Sequence, residues 1–335
     1  MAITISAFDS ARHLDAAASL LAERHVRDRA RDPRFPAAYE IPPACRPLIE
    51  QALGEFGAKG VVAVSDGEIV GFAVMAPFLA QPMHMTAAFF PPRTAQTGYS
   101  NHAAKAGMEH EVYRELYAAL SADFVERGYF DHNVYIAPRD QAVEEAFVSL
   151  GFGRTLTAAM RGVEPVEGGG SAELHQAGDE DASIVFGLND ELMRHHARAP
   201  IFWPLLKEPE ESSHQFTRDL LADPKTNAHW VAYDNGKPIG MNTFMAPVWI
   251  TPMLTPEKAI YLYQGIVSED ARRGGVGKAI LKQGIDWARE QGYQHVALHF
   301  ASPNVSGARF WQSQGFAPIE HRMTRHIDER IAWAR

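Results

Sequence analysis

Two arginines, three glycines and a lysine stand close together in the stretch SEDARRGGVGKAI, residues 268–280. An apolar, β-branched run ends just before this stretch, and a helical apolar pattern begins within it. A glycine loop between a strand and a helix can direct free backbone N–H groups at an anion, and the helix dipole adds positive charge there. The stretch therefore predicts an anion site, with a plain glycine turn and solvated arginines as the alternative.

Two common phosphate-binding motifs do not fit this stretch. A P-loop requires Ser or Thr after Gly277-Lys278, but Ala279 stands there and the upstream glycine is missing. A dinucleotide fingerprint requires a third glycine at position 280, where the residue is Ile280. An anion bound here is therefore held by a different arrangement.

The spacing that remains, Arg272-x-x-Gly275-x-Gly277, resembles the pyrophosphate loop of the GNAT superfamily of N-acetyltransferases. Downstream residues that fall on further positions of the family pattern are Asn304, Trp311, Gly315 and Phe316. The resemblance covers the second half of the chain, roughly residues 172–328, and implies a GNAT fold there.

The resemblance also implies that acetyl-CoA is the co-substrate, and the placement of the histidines in the sequence predicts no metal site. In the family, loop amides hold the pyrophosphate of coenzyme A, and the preceding strand pairs with the pantetheine arm. The residues carried over are Ile266 and Val267 for the arm, Arg272, Arg273, Gly274, Gly275, Val276, Gly277 and Lys278 for the phosphates, Asn304 for the far side of the pantetheine, Phe310 for the thioester end, and Trp311 for a pocket wall.

The reacting centre departs from the family pattern. The family usually has a Tyr as general acid where this chain has Trp311, and an indole cannot donate a proton at useful cost. The strand before the loop offers Tyr261 and Tyr263 on one face but no carboxylate, and His299 on the next strand is a candidate base. Packing in the core or cleft is the alternative for each of these three candidates.

Repeated landmarks indicate that the chain contains the same unit twice. Its 335 residues suffice for two domains. Gly128-Tyr129 recurs as Gly292-Tyr293, and Gly151-Phe152 recurs as Gly315-Phe316, at one constant offset that needs no gap. We therefore predict two tandem GNAT folds of the α/β class, each with a mixed α+β sheet. The predicted boundaries are a first domain at 1–163, a Gly- and acid-rich linker at 164–172 and a second domain at 173–335.

Hydrophobic periodicity and turn residues predict the elements of the second half. The predicted strands are Ala172–Ala177, Trp230–Asp234, Pro238–Met245, Ile260–Val267 and His295–Phe300, and the predicted helices are Asp181–Arg198, Glu210–Ala222, Gly275–Gln291 and Val305–Gln314.

The first half lacks the anion loop. At the offset of the repeat, Met108, Glu111 and Tyr113 correspond to Arg272, Gly275 and Gly277, and Asp140 corresponds to Asn304. We predict that the first domain keeps the fold but has lost coenzyme A binding. The first domain either stabilises the second or forms a wall of the acceptor pocket. The long segment Leu79–Gly107 is interpreted as an inserted loop, and contact of this loop with the acceptor is a hypothesis.

Composition excludes several classes of protein. The net charge is −9, which opposes a general nucleic-acid role, and no run approaches a membrane span. Cys45 is the single cysteine, so neither a disulfide framework nor a Cys zinc cluster is expected. The adjacent residues His195 and His196 cannot form an i, i+4 metal pair. No secretory signal is visible, so we expect a cytoplasmic protein.

These features predict an acetyl-CoA-dependent N-acetyltransferase whose acceptor is the amine of a small molecule, acetylated by direct attack in a ternary complex. One alternative is a module that senses acyl-CoA without turnover, and another is an acetyltransferase that acts on a protein or peptide amine. The sequence leaves the identity of the acceptor and the oligomeric state open.

Overall fold

The computed structural model describes residues 2–247 and 251–334. Strands of the first half are β1 (Thr4–Ala7), β2 (Lys59–Ser65), β3 (Glu68–Leu79), β4 (Arg93–Thr97), β5 (His102–Ala104), β6 (Asp131–Ile136) and β7 (Gly153–Gly162). Its helices are α1 (Ser10–Arg31), α2 (Pro42–Gly54), α3 (Glu109–Glu126) and α4 (Gln141–Ser149).

The second half repeats this order of elements except that it has no counterpart of β5 among the described residues. Its strands are β8 (Glu173–Gln176), β9 (Ala228–Asp234), β10 (Lys237–Met245), β11 (Ala259–Val267), β12 (His295–Ala301) and β13 (Ala317–His326). Its helices are α5 (Ala182–His196), α6 (Glu210–Leu221), α7 (Val276–Glu290) and α8 (Val305–Ser313). The strands and helices predicted for this half are confirmed, with ends that differ by one or two residues. No helix within the described ranges is long and apolar enough to cross a membrane.

The same turn chemistry builds a β-hairpin in each half. Asp66-Gly67 joins β2 to β3 and Asn235-Gly236 joins β9 to β10, and all four residues have positive φ. Two successive left-handed residues are typical of a type I′ turn, whose twist matches that of the paired strands. Asp, Asn and Gly adopt this conformation at the lowest cost, so the local sequence determines the hairpin.

The thirteen strands found in the described residues form one mixed sheet. Their order is β1-β2-β3-β4-β6-β13-β7-β12-β11-β10-β9-β8, and β5 pairs with β3. Only β4–β6 and β11–β12 are parallel pairs among these strands. Helix α7 connects β11 to β12 and packs on the sheet through Ile280, Leu281 and Ile285, which are fully buried.

The two halves exchange their closing strands. Strand β7 of the first half pairs with β12 of the second, β13 pairs with β6 of the first half, and β7 and β13 lie side by side. Thr157 lies opposite His321, which is its own counterpart in the sequence repeat. A local two-fold axis therefore passes between these residues. The predicted boundaries at 163 and 173 separate the repeats along the chain but do not divide the sheet.

The segment 164–172 between the halves packs along the start of α7, and we call it the linker strap. Val166 is 4% exposed and lies in the apolar core under α7. The Gly170 N–H donates to the Gly275 carbonyl at 3.2 Å. A Cβ on Gly170 would collide with the Gly274 carbonyl, and one on Gly275 would collide with the Gly170 backbone. Glycine is required here because two backbones touch.

The segment Leu79–Gly107 is not an inserted loop, so that part of the interpretation was wrong, whereas its contact with the acceptor stays a prediction. It contains β4 and β5, and β4 pairs with β6 in parallel as β11 pairs with β12. Strand β4 is therefore the first repeat's copy of β11. Its sequence, RTAQT, lacks the apolar and aromatic residues that signal a buried strand, which explains why the pattern missed it.

Candidate active site

Strands β11 and β12 separate partway along the sheet and open a cleft. They pair as far as Leu262 and Leu298, although the strands continue to Val267 and Ala301. The register of β10 against β11 shifts at the same level. We call the point where the two strands part, after Leu262 and Leu298, the branch. Beyond the branch, the edge of β11 that faces β12 presents backbone N–H and C=O groups to the cleft. Such an edge can pair with an extended ligand that carries amides.

The predicted anion loop lies at the end of β11 and opens onto this cleft. The N–H groups of residues 273–278 donate to no carbonyl or side chain in the part of the chain that the structure describes. The first helical bond of α7 runs from the Ala279 N–H to the Gly275 carbonyl at 3.0 Å. Gly275 has φ +82°, which turns the loop directly into the helix. Free amides at a helix N-terminus form a cradle for an anion.

Basic side chains add positive charge around this cradle. Arg272, Arg273 and Lys278 all line the cleft. The Arg272 Nε donates to the Val267 carbonyl at 2.9 Å, which folds the guanidinium over the end of β11. Guanidinium groups and backbone amides together suit a pyrophosphate, because both donate hydrogen bonds to anionic oxygens.

Helix α8 forms the opposite wall of the cleft. Asn304 lines the cleft and caps this helix, since its Oδ1 accepts the N–H of the third helical residue at 3.0 Å. Phe310 was expected at the thioester end but lies against the start of α7, where a Cβ on Gly277 would be 3.3 Å from its ring. Trp311 lies against β11, where a Cβ on Gly265 would be 3.0 Å from the indole. Two glycines therefore make room for two aromatic walls.

The structure brings the three catalytic candidates together beside the branch. The Tyr261 hydroxyl and His299 Nδ1 are 2.8 Å apart, and the rings of Tyr261 and Tyr263 are neighbours at 6.5 Å. Burial, with the nearby Arg322 guanidinium, lowers the pKa of His299 to about 4. Burial raises the pKa of both tyrosines. At neutral pH, His299 is therefore uncharged and the two phenols keep their protons.

The cleft continues into a cavity of about 1460 Å³ that crosses one face of the sheet into the first half. Residues from five neighbouring strands that line its floor are Tyr263, His299, Leu156, Glu320 and Tyr135. Part of the first-half wall is aromatic and comes from Phe89 and Phe90, in the connection between β3 and β4. A molecule in this cavity would contact both halves while reaching the branch of β11 and β12.

Sequence reasoning missed the buried carboxylate of this cavity. Glu320 is 4% exposed, and its Oε1 accepts a hydrogen bond from the Thr251 hydroxyl at 2.5 Å. Burial raises the pKa of Glu320 to about 7. Glu320 and Arg322 are two positions apart on β13 and therefore lie on the same face of the strand, whereas the buried Ile319 lies on the opposite face. This alternation indicates a strand with one polar face. Only the exchange of β13 into the middle of the sheet reveals that this face lines the cavity.

The first half fills the space that the second half leaves open. Tyr113 and Phe147 occupy the repeat positions of Gly277 and Trp311, and their buried rings lie 4.9 Å apart. The Gly107 N–H donates to Glu109 Oε2 at 2.8 Å, so a carboxylate of the chain itself lies at the start of α3. A void of about 20 Å³ remains there. This geometry leaves no space for a second nucleotide.

The histidines that line the cavity are not arranged as a metal site. His195 and His196 end α5 with ring centroids 5.9 Å apart, and both line the cavity. Across the described ranges, no group of three or more His, Cys, Asp or Glu side chains is placed to hold a metal ion.

Comparison with known proteins matches part of the second half of the chain to a family. Residues 191–316 match the Acetyltransferase (GNAT) family. Human N-acetyltransferase 8 is 29% identical over 129 residues, which are 35% of this chain and 54% of that protein. Human N-acetyltransferase 8B is 27% identical over 161 residues, which are 44% and 64% of the two chains. This chain spans about half the length of the curated relatives it matches.

Two solved structures share the fold along nearly the whole chain. A GCN5-related N-acetyltransferase from Sphaerobacter thermophilus is 13% identical, with a TM-score of 0.61 over 96% of this chain and 95% of that one. A GCN5-related glucosamine N-acetyltransferase region of a fungal multi-domain GH3 β-N-acetylglucosaminidase is 12% identical, with a TM-score of 0.55. The match covers 96% of this chain and 38% of that one. Residues 191–316, which include the loop, therefore match the GNAT acetyltransferase family, so the resemblance is confirmed for this part of the chain, and the solved structures share the fold.

Proposed function

We propose that this chain transfers an acetyl group from acetyl-CoA to the amine of a small molecule bound in the cavity. The observation that carries the proposal is the row of free N–H groups at residues 273–278, which opens onto the same cleft as the cavity floor. These groups would hold the pyrophosphate, and the edge of β11 at Ile266 and Val267 would pair with the pantetheine amides. When bound, acetyl-CoA supplies the acetyl thioester.

The side chains at the branch limit how protons move. Starting from an alkylammonium, transfer forms a C–N bond and breaks a C–S bond. One proton is released when the ammonium becomes the free amine, and the proton that the nitrogen loses after attack ends on the sulfur of the leaving thiol of coenzyme A. An alkylammonium has a pKa of about 10, so giving its proton to His299, with a pKa of about 4, costs about 8 kcal/mol. The amine therefore reacts as the free base. His299, held by Tyr261, accepts the more acidic proton that the nitrogen carries after attack.

A thiol-release assay with acetyl-CoA and a panel of amines tests this function. We expect turnover whose kcat/KM rises about tenfold per pH unit between about pH 6 and pH 9, because the free-base fraction rises in that way. His299→Ala should lower kcat roughly 10- to 100-fold and leave the KM for acetyl-CoA within about twofold. His295→Ala, at the other end of β12, is the matched control.

One observation favours a second candidate function. Trp311 occupies the place where a proton donor is expected, and it lies against β11 beside the branch. A module that senses acyl-CoA needs no such donor. Tight binding of acetyl-CoA with no thiol release on any amine, peptide or small molecule would contradict the transferase and support the sensor.

A further inference from the structure

The cavity floor carries two charged side chains from the second repeat whose counterparts in the first repeat are apolar. Glu320 and Arg322 lie on β13, and their repeat positions on β7 are Leu156 and Ala158. The strands are neighbours across the local two-fold axis, with Leu156 opposite Arg322 and Ala158 opposite Glu320. The same strand therefore forms with apolar residues at these places. Folding does not require a carboxylate at position 320.

Glu320 is desolvated and lacks a charged partner. It is 4% exposed, and among the described residues its one hydrogen bond comes from Thr251 and no Lys, Arg or His forms an ion pair with it. Arg24 acts on it from α1, but Arg24 is itself paired with Asp28 at 3.7 Å and donates to the Tyr99 carbonyl at 2.5 Å. An ionised carboxylate in such a place is costly unless a cation arrives to pair with it.

The neighbouring Arg322 forms hydrogen bonds with groups other than Glu320. Its Nε donates to Thr155 Oγ1 at 3.3 Å and its Nη1 donates to the Phe89 carbonyl at 3.4 Å. Its guanidinium carbon lies 5.2 Å from the ring centroid of Phe90. These contacts fasten the aromatic wall to the sheet. The charge of Glu320 therefore remains available to a molecule in the cavity.

The position of Glu320 defines a distance from the branch. His299 and Glu320 both lie opposite Ala158, so the three residues form one row across β12, β7 and β13. Two strand spacings separate the backbones of β12 and β13 by about 10 Å. Side chains shorten this gap, so a nitrogen at the branch and a cation at Glu320 would be roughly 6–10 Å apart. Ala158, which lies between them in the row, carries only a methyl group.

We propose that Glu320 is the counter-ion for a second basic group of the acceptor, distinct from the nitrogen that is acetylated. This inference rests on the proposed function and names its substrate class: a small molecule with two basic nitrogens joined by an apolar body. The aromatic wall of Phe89 and Phe90 packs against that body. Because Glu320 acts on binding and not on the reacting atoms, its removal should change the KM for the acceptor and spare kcat.

The test compares 1,6-diaminohexane with hexylamine at pH 8 and saturating acetyl-CoA. We expect the wild-type chain to prefer the diamine at least tenfold in kcat/KM. Glu320→Leu, which copies the residue of the first repeat, and Glu320→Gln should each raise the KM for the diamine at least tenfold. The kinetics with hexylamine and the KM for acetyl-CoA should stay within twofold. Glu55→Gln removes a carboxylate from the exposed rim of the same cavity and serves as the matched control.

Two results would overturn the proposal. One is an unchanged preference for the diamine in Glu320→Leu, and the other is an equal loss for hexylamine, which would assign Glu320 to the reacting nitrogen. If the wild-type chain acetylates neither amine, the amine panel still decides the proposed function, and calorimetry of 1,6-diaminohexane with the protein saturated in coenzyme A decides the subsite. At least tenfold weaker binding to Glu320→Leu supports the subsite, and equal binding contradicts it.

Discussion

Burial determines the protonation of the side chains around the cleft. His299 is kept neutral with a pKa of about 4, and the Tyr261 phenol is kept protonated because burial raises its pKa. The pKa of Glu320 is about 7, so of these three groups it is the one that changes charge near neutral pH. The sequence predicted Tyr261 as a candidate from strand alternation and His299 as a candidate base on the next strand. It could not assign a protonation state, because desolvation depends on packing by distant residues.

At this scale we predict that Glu320→Gln stabilises the protein in alkaline solution. The pKa of Glu320 rises from an ordinary 4.5 to about 7 on folding, so the folded state binds the proton more tightly. The contribution of Glu320 to stability is present below about pH 4.5 and is lost as the pH rises through 7. The loss is about 3 kcal/mol. Glutamine mimics the neutral acid, so the Tm of Glu320→Gln should exceed that of wild type by several degrees at pH 8.5.

Thermal unfolding of both proteins at pH 5 and pH 8.5 checks this expectation. The advantage of Glu320→Gln should shrink to a small fraction of its alkaline value at pH 5. A Tm difference that is equal at the two pH values would show that the substitution acts through packing or hydrogen bonding instead of ionisation.

At the scale of elements, the anion loop and the linker strap form one unit. The strap delivers the Gly170 backbone to Gly275, and Val166 anchors it under α7. The loop was predictable because its signal is local: a strand, glycines with fixed spacing and an amphipathic helix. The strap was interpreted as a mere linker because its glycines also suit a flexible connection, and only the tertiary contact reveals their steric role.

We predict that Gly275→Ala weakens acetyl-CoA binding at least about tenfold. Gly275 has a positive φ, which is unfavourable for alanine, and the new Cβ would collide with the Gly170 backbone. The loop and the linker strap would therefore have to move apart, and the row of N–H groups would lose its geometry. Gly292→Ala, at the opposite end of α7, has the same kind of φ, +85°, but its Cβ would meet no atom within 4 Å. Calorimetric titration should give Gly292→Ala a Kd within about twofold of wild type. Equal losses in both variants would mean that backbone strain alone is responsible.

At the scale of the whole molecule, the two repeats complete each other. Strands β7 and β13 cross between the halves and place Glu320 beneath a cavity to which both halves contribute. The repeat was predictable from two pairs of landmarks that share one offset. The exchange was not, because each half carries all the local signals of its own strands, and the choice of partner depends on long-range pairing.

This exchange predicts a single cooperative unfolding transition for the full chain. Neither half can lose its sheet without exposing the edge of the other, because β7 pairs with β12 and β13 pairs with β6. Differential scanning calorimetry should give one peak with equal calorimetric and van't Hoff enthalpies. Two resolved peaks, or a van't Hoff enthalpy near half the calorimetric value, would indicate that the halves unfold independently.

The two repeats differ in whether their clefts have room for a ligand. Residues 273–278 offer free amides in the second half, whereas Tyr113, Phe147 and Glu109 occupy the corresponding space in the first. Isothermal titration of the full chain with acetyl-CoA tests this most directly. We predict one molecule bound per chain, with binding weakened at least about tenfold by Gly275→Ala. Two molecules per chain, or a single site that Gly275→Ala leaves unchanged, would contradict it.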